Sequence, residues 1–223
     1  MKYEYWFANI KGIGNQKKKR IRKRLVSAQE LYYIEETGLQ ALGVEEKDAQ
    51  IIRKSIETWD LEEEYERMQQ KKIQFYPFFH SDYPEKLKQI SSPPYALYVK
   101  GRLPKEDRLS VAIVGARECS PYGRQLTKEF AKKLASAGAQ IISGMAKGID
   151  GAGQIGALEE GGDSYGFWGA GWMSVTLENT LSCIRSWKEK AGFYQSSPSG
   201  QSRCRSFSLP EIELSVDFQI SYL

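Results

Sequence analysis

Residues 109–162 constrain the fold of this chain most, because short apolar runs alternate there with glycine-rich turns. Val111–Val114 is an uncharged β-branched run that ends at Gly115, a pattern typical of a buried parallel strand entering a tight turn. Gln140–Ile142 predicts a second strand, and a second turn of small residues, Ser143–Gly148, follows it. The two strands therefore end in similar loops.

The residues between these strands predict a helix. Pro121 is suited to a first helical turn, Leu126, Phe130 and Leu134 recur at helical spacing, and Gly138 is a typical C-terminal glycine. Strand, helix and strand form a βαβ unit, whose connection is expected to be right-handed. Both loops then lie at the carboxyl ends of parallel strands, where sheets of this kind bind ligands.

Composition limits the class of protein. The chain has 223 residues, a net charge of +4 and a mean hydropathy of −0.52. No apolar run approaches the roughly 18 residues of a membrane span, and the N-terminal segment lacks the long apolar stretch of a signal peptide. We therefore expect a cytoplasmic protein without a membrane partner. The three cysteines lie far apart and favour neither a disulfide framework nor a zinc site.

A block of basic residues lies near the N-terminus. Between residues 11 and 24 there are eight basic residues and no acidic one: Lys11, Lys17, Lys18, Lys19, Arg20, Arg22, Lys23 and Arg24. Such a block indicates either a polyanion partner or a solvated helix face. The start of the block, Lys11–Gly14, resembles a helix-hairpin-helix turn, in which paired glycines let backbone N–H groups approach a phosphate.

The sequence predicts three regions. Residues 1–70 read as a small helical domain, similar to SAM or helix-hairpin-helix domains, and residues 71–165 as an α/β domain. Strands are expected at Ile73–Phe79 and Tyr95–Gly101, with a short helix near residue 86 between them. The single histidine, His80, has no second histidine or acidic cluster nearby, so a structural or surface role is expected.

Several motifs in one order resemble the DprA (Smf) family, the bacterial DNA-processing proteins of natural transformation. The matching segments are Ser81–Leu87, Pro93–Gly101, Val111–Arg117, Pro121–Gly123, Ser143–Asp150 and Gly156–Leu158. Their order and spacing make the resemblance specific over residues 1–165, with the helical N-terminus the weakest part.

The resemblance implies an α/β fold with an extended Rossmann-like parallel sheet that binds and protects single-stranded DNA and helps load the RecA recombinase. It implies DNA recombination in competent cells, a possible homodimer, no catalytic activity, and neither a cofactor nor a metal. The family's DNA-binding pocket maps onto Gly115, Arg117, Ser143, Gly144 and Lys147. Small residues in the two loops let a phosphate approach the backbone, and the two cations converge on one edge of the sheet.

Several residues of these loops also have a structural interpretation. Gly115 and the later Gly148 are needed for their turns whatever the ligand, and Arg117 and Lys147 could be solvent-facing loop cations. Tyr122 could stack on a base or pack under its loop. Asp150 is expected to cap the helix that follows it rather than to transfer protons.

The resemblance ends after Tyr165. Residues 166–223 contain 11 serines, against 10 in the first 165 residues. The codons suggest a cause. In a shifted reading frame, each new codon consists of the third base of one codon and the first two bases of the next. In that frame, the codons of Trp168–Gly169 must give glycine and those of Trp172–Met173 must give aspartate. The same shift permits Val-Leu-Gly-Cys-Gly-Val-Asp-Val-Cys-Tyr-Pro, the family's next segment, and permits Ala-Arg-Asn-Arg-Ile-Ile-Ser-Gly at residues 209–217.

Our hypothesis is that residues 166–223 are translated out of frame, through a true frameshift or a sequencing error; the competing view is a divergent folded tail. A serine-rich segment with poor patterning buries too little apolar surface to offset its ordering entropy. We therefore expect a truncated sheet, a largely irregular tail and an unstable or inactive product.

Two enzyme classes are the alternatives to a DNA-binding protein. A nucleotide-processing phosphoribohydrolase shares a related Rossmann-like fold, but its catalytic Arg/Glu pair has no matching motif here. A dinucleotide-dependent oxidoreductase needs G-x-G-x-x-G after the first strand, and residues 115–120 do not supply it.

Overall fold

The computed structural model describes residues 1–168 and 191–195. The chain divides into two compact units, Met1–Tyr98 and Val99–Leu223. This division does not coincide with the boundaries expected at residues 70 and 165. Those boundaries concern independently folding domains and stay a prediction.

The first unit begins with six helices. They are α1 (Lys2–Asn9), α2 (Asn15–Arg22), α3 (Ala28–Tyr33), α4 (Glu36–Ala41), α5 (Glu46–Thr58) and α6 (Leu61–Gln70). Two of them start at side-chain caps, since Ser27 accepts the Glu30 N–H and Asp60 accepts the Glu63 N–H. Large apolar side chains on the inner faces form the core, among them Trp6, Phe7, Leu31, Leu39 and Ile52.

Glu4 is a buried polar centre of this unit. The Arg22 Nε donates to one carboxylate oxygen at 2.7 Å, and the Ala28 N–H donates to the same oxygen at 3.1 Å. The Tyr95 hydroxyl donates to the other oxygen at 2.9 Å. Burial and the neighbouring carboxylate raise the pKa of Tyr95. The buried charge is therefore paired and hydrogen-bonded, as a stable core requires.

The next elements are β1 (Gln74–Pro77), α7 (Glu85–Lys88) and β2 (Ala96–Lys100), and β2 spans the division between the units at Tyr98. These elements confirm the two predicted strands and the short helix between them, each strand being shorter than its apolar run. The side chains from Ala96 to Val99 are all buried.

The second unit contains the predicted βαβ unit. Its elements are β3 (Ser110–Ala112), α8 (Pro121–Ser136), β4 (Gln140–Ser143), α9 (Ile149–Glu159), β5 (Ser164–Trp168) and β6 (Ala191–Gln195). These strands are parallel, in the order β6-β5-β4-β3. The predicted α/β fold with a Rossmann-like parallel sheet is confirmed.

Both ends of α8 follow the sequence signals. The Ser120 hydroxyl accepts the Gly123 N–H at 3.0 Å, with Pro121 in the first turn. At the other end, Gly138 has a φ of +88° and its N–H donates to the Ala135 carbonyl.

Small residues let α8 and α9 pack closely. Ala131 and Ala135 of α8 are buried, and a Cβ at Gly156 of α9 would lie 3.0 Å from both the Ala131 Cβ and the Lys128 Cα. The Gly156–Leu158 motif, quoted above for its family resemblance, therefore has a packing role. On the outer side, Lys128 and Lys132 pair with Glu159.

A charged clamp ties the amino ends of the strands together. Asp163 precedes β5 and accepts Arg102 and Arg108. Arg108 also donates to the Gly138 carbonyl, before β4, at 2.6 Å. This clamp lies at the opposite edge of the sheet from the two glycine-rich loops.

Eight residues of the tail that was expected to be largely irregular lie in strands. Residues 166–168 continue β5, and residues 191–195 form β6, paired in parallel register with β5 from Ser164↔Ala191 to Trp168↔Gln195. The rest of the predicted tail lies outside the described residues.

Candidate nucleic-acid interface

Two loops meet at the carboxyl edge of the second unit. The first, residues 113–120, connects β3 to α8, and the second, residues 144–148, connects β4 to α9. Because β3 and β4 are neighbours in parallel register, with Ser110 opposite Gln140, both loops leave the sheet on the same side. The positive N-terminal ends of α8 and α9 also lie at this edge, which favours an anionic ligand.

Gly148 brings the two loop backbones into contact. Its φ of 86° and ψ of −125° suit glycine. A Cβ there would lie 2.6 Å from the Arg117 carbonyl oxygen and closer still to that of Ala116. The next residue, Ile149, donates its N–H to the Ala116 carbonyl at 3.2 Å. Lys147 and Arg117 are therefore carried on backbones that touch.

Asp150 joins the same loops with its side chain. One carboxylate oxygen accepts the Gly115 N–H at 3.1 Å, and the other accepts the Gly144 N–H at 3.1 Å. The expectation that Asp150 caps its own helix is wrong. Gly148 holds the N-cap position of α9, and the carboxylate reaches back to loop amides instead.

The five residues assigned to the pocket differ in what they expose. Ser143 is buried, and its hydroxyl donates to the Ile113 carbonyl at 2.6 Å. Gly115 and Gly144 are exposed, although their N–H groups are bonded to a carboxylate. Arg117 and Lys147 are exposed, and neither side chain pairs with another residue in the described part of the chain. The structure places all five around one junction, and the two cations there have no partner among residues 1–168 and 191–195.

The second loop also holds a strained residue. Met145 is buried and has a φ of 59°, in the left-handed region that side chains other than glycine rarely adopt. Such strain is frequent at ligand-binding segments. Sequence reasoning missed Met145 and the bridging role of Asp150; an acidic residue just after a glycine-rich loop was the available signal for the second.

Tyr122, in the first turn of α8, is 75% exposed. The alternative that it packs under its loop is therefore wrong, while base stacking by this ring stays a prediction.

Folding contacts occupy most of the N-terminal basic block. Lys17 pairs with Glu45 and Asp48, Arg22 pairs with Glu4, and Arg24 donates to the Leu42 carbonyl. Lys18 also donates to the Ala8 carbonyl at 2.5 Å, and Lys19 donates to the Pro93 carbonyl at 2.6 Å. Burial lowers the pKa of Lys18 to about 7. The basic block is thus mainly a structural feature.

Lys11, Arg20 and Lys23 are the exposed members of the block that bind no acidic group or carbonyl among the described residues. The helix-hairpin-helix resemblance of the turn between α1 and α2 stays a prediction. Gly12 has a φ of +90°, and a Cβ there would lie 3.2 Å from Ile51. This glycine is therefore needed for the turn and for packing against α5.

His80 has the expected structural role. Its Nδ1 accepts the Asp82 N–H at 3.1 Å, and its ring lies edge-on to Tyr76. Within residues 1–168 and 191–195, no three His, Cys, Asp or Glu side chains cluster as metal ligands would. None of the described helices is both long and apolar enough to cross a membrane.

The family model of DNA recombination-mediator protein A matches residues 74–207, which is more than half of the chain. Among curated relatives, Protein Smf of Escherichia coli is 33% identical over 150 residues, covering 64% of this chain and 38% of that protein. Protein Smf of Synechocystis is 30% identical over 177 residues, covering 75% of this chain and 44% of that protein. The matches thus span less than half of these relatives.

Two solved structures are similar. DNA processing protein A from Streptococcus pneumoniae matches with a TM-score of 0.75 and 21% identity, over 97% of this chain and 83% of that chain. The second is DNA processing protein A from Helicobacter pylori, a structure that describes the single-stranded DNA binding mode of that protein. It matches with a TM-score of 0.52 and 24% identity. It covers 64% of this chain and 65% of that chain.

Proposed function

Because this chain belongs to the DNA recombination-mediator protein A family, we propose that it binds single-stranded DNA through its phosphate backbone. Arg117 and Lys147 are the proposed contacts. The observation that carries this proposal is their placement. Two exposed cations, unpaired within the described residues, lie on touching loops at the positive ends of two helices. The Helicobacter pylori neighbour supports the choice of ligand.

The proposed binding requires no catalytic step. The side chains attract phosphate oxygens and release counterions from the strand, so affinity falls as salt rises and base sequence matters little. We infer that such binding protects the strand and that the chain helps load RecA in natural transformation. Both inferences, and a homodimer, rest on the family resemblance.

A poly-dT oligomer tests the site. The double variant Arg117→Ala/Lys147→Ala should bind at least tenfold more weakly than the native chain in a fluorescence-anisotropy titration. Its logarithmic salt slope should fall by about 1.4, because each cation on a single strand contributes about 0.7. Lys133→Ala is the matched control, since this exposed cation lies in the last turn of α8, at the end opposite the loops.

The control should bind like the native chain. Equal affinity and salt slope in the double variant would remove Arg117 and Lys147 from the DNA site.

We also propose that translation out of frame after Tyr165 impairs this product. The codons support it, and so does the exposure of the sheet. Parallel strands are normally covered on both faces, yet every residue of β3 is partly exposed. Leu109, just before β3, is 55% exposed, and Phe130 of α8 is 57% exposed. The missing family segment would supply apolar cover.

The family match runs to residue 207, beyond the predicted end of the resemblance at Tyr165. This is what the folded-tail alternative expects, so the DNA sequence of the gene is needed to decide between a frameshift and a divergent tail. Resequencing around codon 165 should reveal one lost base. An intact reading frame that encodes this tail would refute the frameshift. A single cooperative urea transition of ordinary stability would refute the impairment.

A further inference from the structure

Asp150 carries a buried charge that the proposed phosphate contacts do not use. Its side chain lies in the first turn of α9, and the residue is 5% exposed. Within the described residues it forms no ion pair. A carboxylate buried without a cation is costly unless hydrogen bonds and local dipoles compensate it.

The compensation comes from the two loops. The Gly115 and Gly144 N–H groups each donate to a different carboxylate oxygen, both at 3.1 Å. The positive end of α9 adds a favourable dipole. The carboxylate therefore occupies backbone donors that a bound phosphate could otherwise use.

We propose that Asp150 is a positioning residue for DNA binding, an internal anion that fills the two loop amides and fixes the loops together. Arg117 and Lys147 are thereby held on the same side of the junction. The strand's phosphates are bound by these side chains and not by the amides of Gly115 and Gly144. This inference rests on the proposed function.

The contacts support a positioning role. Ile149, beside Asp150, is bonded to the Ala116 carbonyl, and Gly148 lies against the Arg117 carbonyl. A change in the Asp150 carboxylate therefore acts on the backbone that carries Arg117. Its effect on DNA affinity should depend on the cations being present.

The test is a double-mutant cycle with poly-dT in the full chain. Asp150→Asn keeps one acceptor but turns an NH₂ group toward the other amide, and should weaken binding about tenfold. In the Arg117→Ala/Lys147→Ala background, the same substitution should change affinity less than twofold. Asp163→Asn is the matched control. It changes a carboxylate at the opposite edge of the sheet, so it should lower stability and leave affinity unchanged.

The outcomes separate the two proposals. Suppose that Arg117→Ala/Lys147→Ala binds weakly while Asp150→Asn binds like the native chain. The positioning role is then wrong, and the proposed DNA site stands. The positioning role is also wrong if Asp150→Asn weakens binding equally in both backgrounds. If removing both cations changes nothing, the DNA site and the positioning role are both wrong.

Hydrogen exchange in the native chain provides a second measurement that needs no foldable variant. The Gly115 and Gly144 amides should exchange slowly without DNA, and poly-dT should alter their rates less than twofold. Fast exchange that DNA suppresses strongly would show the amides binding phosphate, and would overturn the proposal.

Discussion

Gly148→Ala should be among the most damaging single-methyl changes in this chain, because it acts at the contact between the two loops. The glycine has a φ of 86° and a ψ of −125°, and its missing Cβ would overlap the Ala116 and Arg117 carbonyls. Backbone strain of this kind costs about 1–3 kcal/mol. Overpacking against backbone atoms costs a further 1–3 kcal/mol or so.

Gly138→Ala is the matched control. Gly138 has nearly the same φ, +88°, but nothing lies within 4 Å of a Cβ built there. Its substitution should therefore cost the left-handed strain alone, about 1–2 kcal/mol. The difference between the two variants measures the loop–loop contact together with the added strain of the ψ of −125° at Gly148.

Urea unfolding followed by circular dichroism gives the stability of both variants. We expect Gly148→Ala to lose about 2–6 kcal/mol, a large part of a typical domain stability of about 5–15 kcal/mol. Under conditions where both variants are folded, Gly148→Ala should also bind poly-dT about tenfold more weakly, since its Arg117 loop is displaced. Equal losses of stability in the two variants, or native affinity in folded Gly148→Ala, would refute the reasoning.

Three further predictions, two of them with a control variant, concern the packing and charges of the fold. Glu4→Gln breaks a buried ion pair and should lower the free energy of unfolding by about 3–5 kcal/mol, whereas Glu62→Gln, at an exposed pair, should barely move the urea midpoint. Burial lowers the pKa of Lys18 to about 7, against an ordinary value of 10.5. Between these two pH values the amine is protonated in the unfolded chain but not in the folded one, so the free energy of unfolding should rise between about pH 7.5 and 9.5. Lys18→Met should flatten this rise, measured as the urea midpoint. Gly156→Ala pushes a methyl into the backbone of α8 and should destabilise by about 1–3 kcal/mol; Gly151→Ala, whose Cβ meets one loop carbonyl at 3.3 Å, should match or exceed native thermal stability, since alanine favours helices by up to about 1 kcal/mol.

Local patterns predicted the secondary structure of the βαβ unit well. Pro121 and Gly138 mark the ends of α8, because proline and glycine act on the backbone nearest to them. The strand expected at Val111–Val114 is found at Ser110–Ala112, since β-propensity does not reveal where ladder pairing with a neighbour stops.

The contacts between loops could not be predicted in this way. Asp150 read as a helix cap because an acidic residue near a helix start usually is one. Its actual partners lie 35 and 6 residues away in sequence. The same applies to Arg22 in the basic block, whose partner Glu4 lies 18 residues away. Charge counts alone do not show which cations the fold itself uses.

The loops determine the geometry of the proposed DNA site, whereas the sheet as a whole determines how much of the chain is folded. The contacts that fix the proposed phosphate site all join residues between Ile113 and Asp150, before the proposed shift of reading frame at Tyr165. A defect after Tyr165 therefore acts on the folded fraction of the chain and leaves the geometry of the folded site intact. Apparent affinity is the intrinsic affinity reduced by the folded fraction. An impaired product should thus bind poly-dT weakly. Its salt slope, and the ratio of its affinity to that of its Arg117→Ala/Lys147→Ala variant, should nevertheless equal the values expected for a fully folded chain.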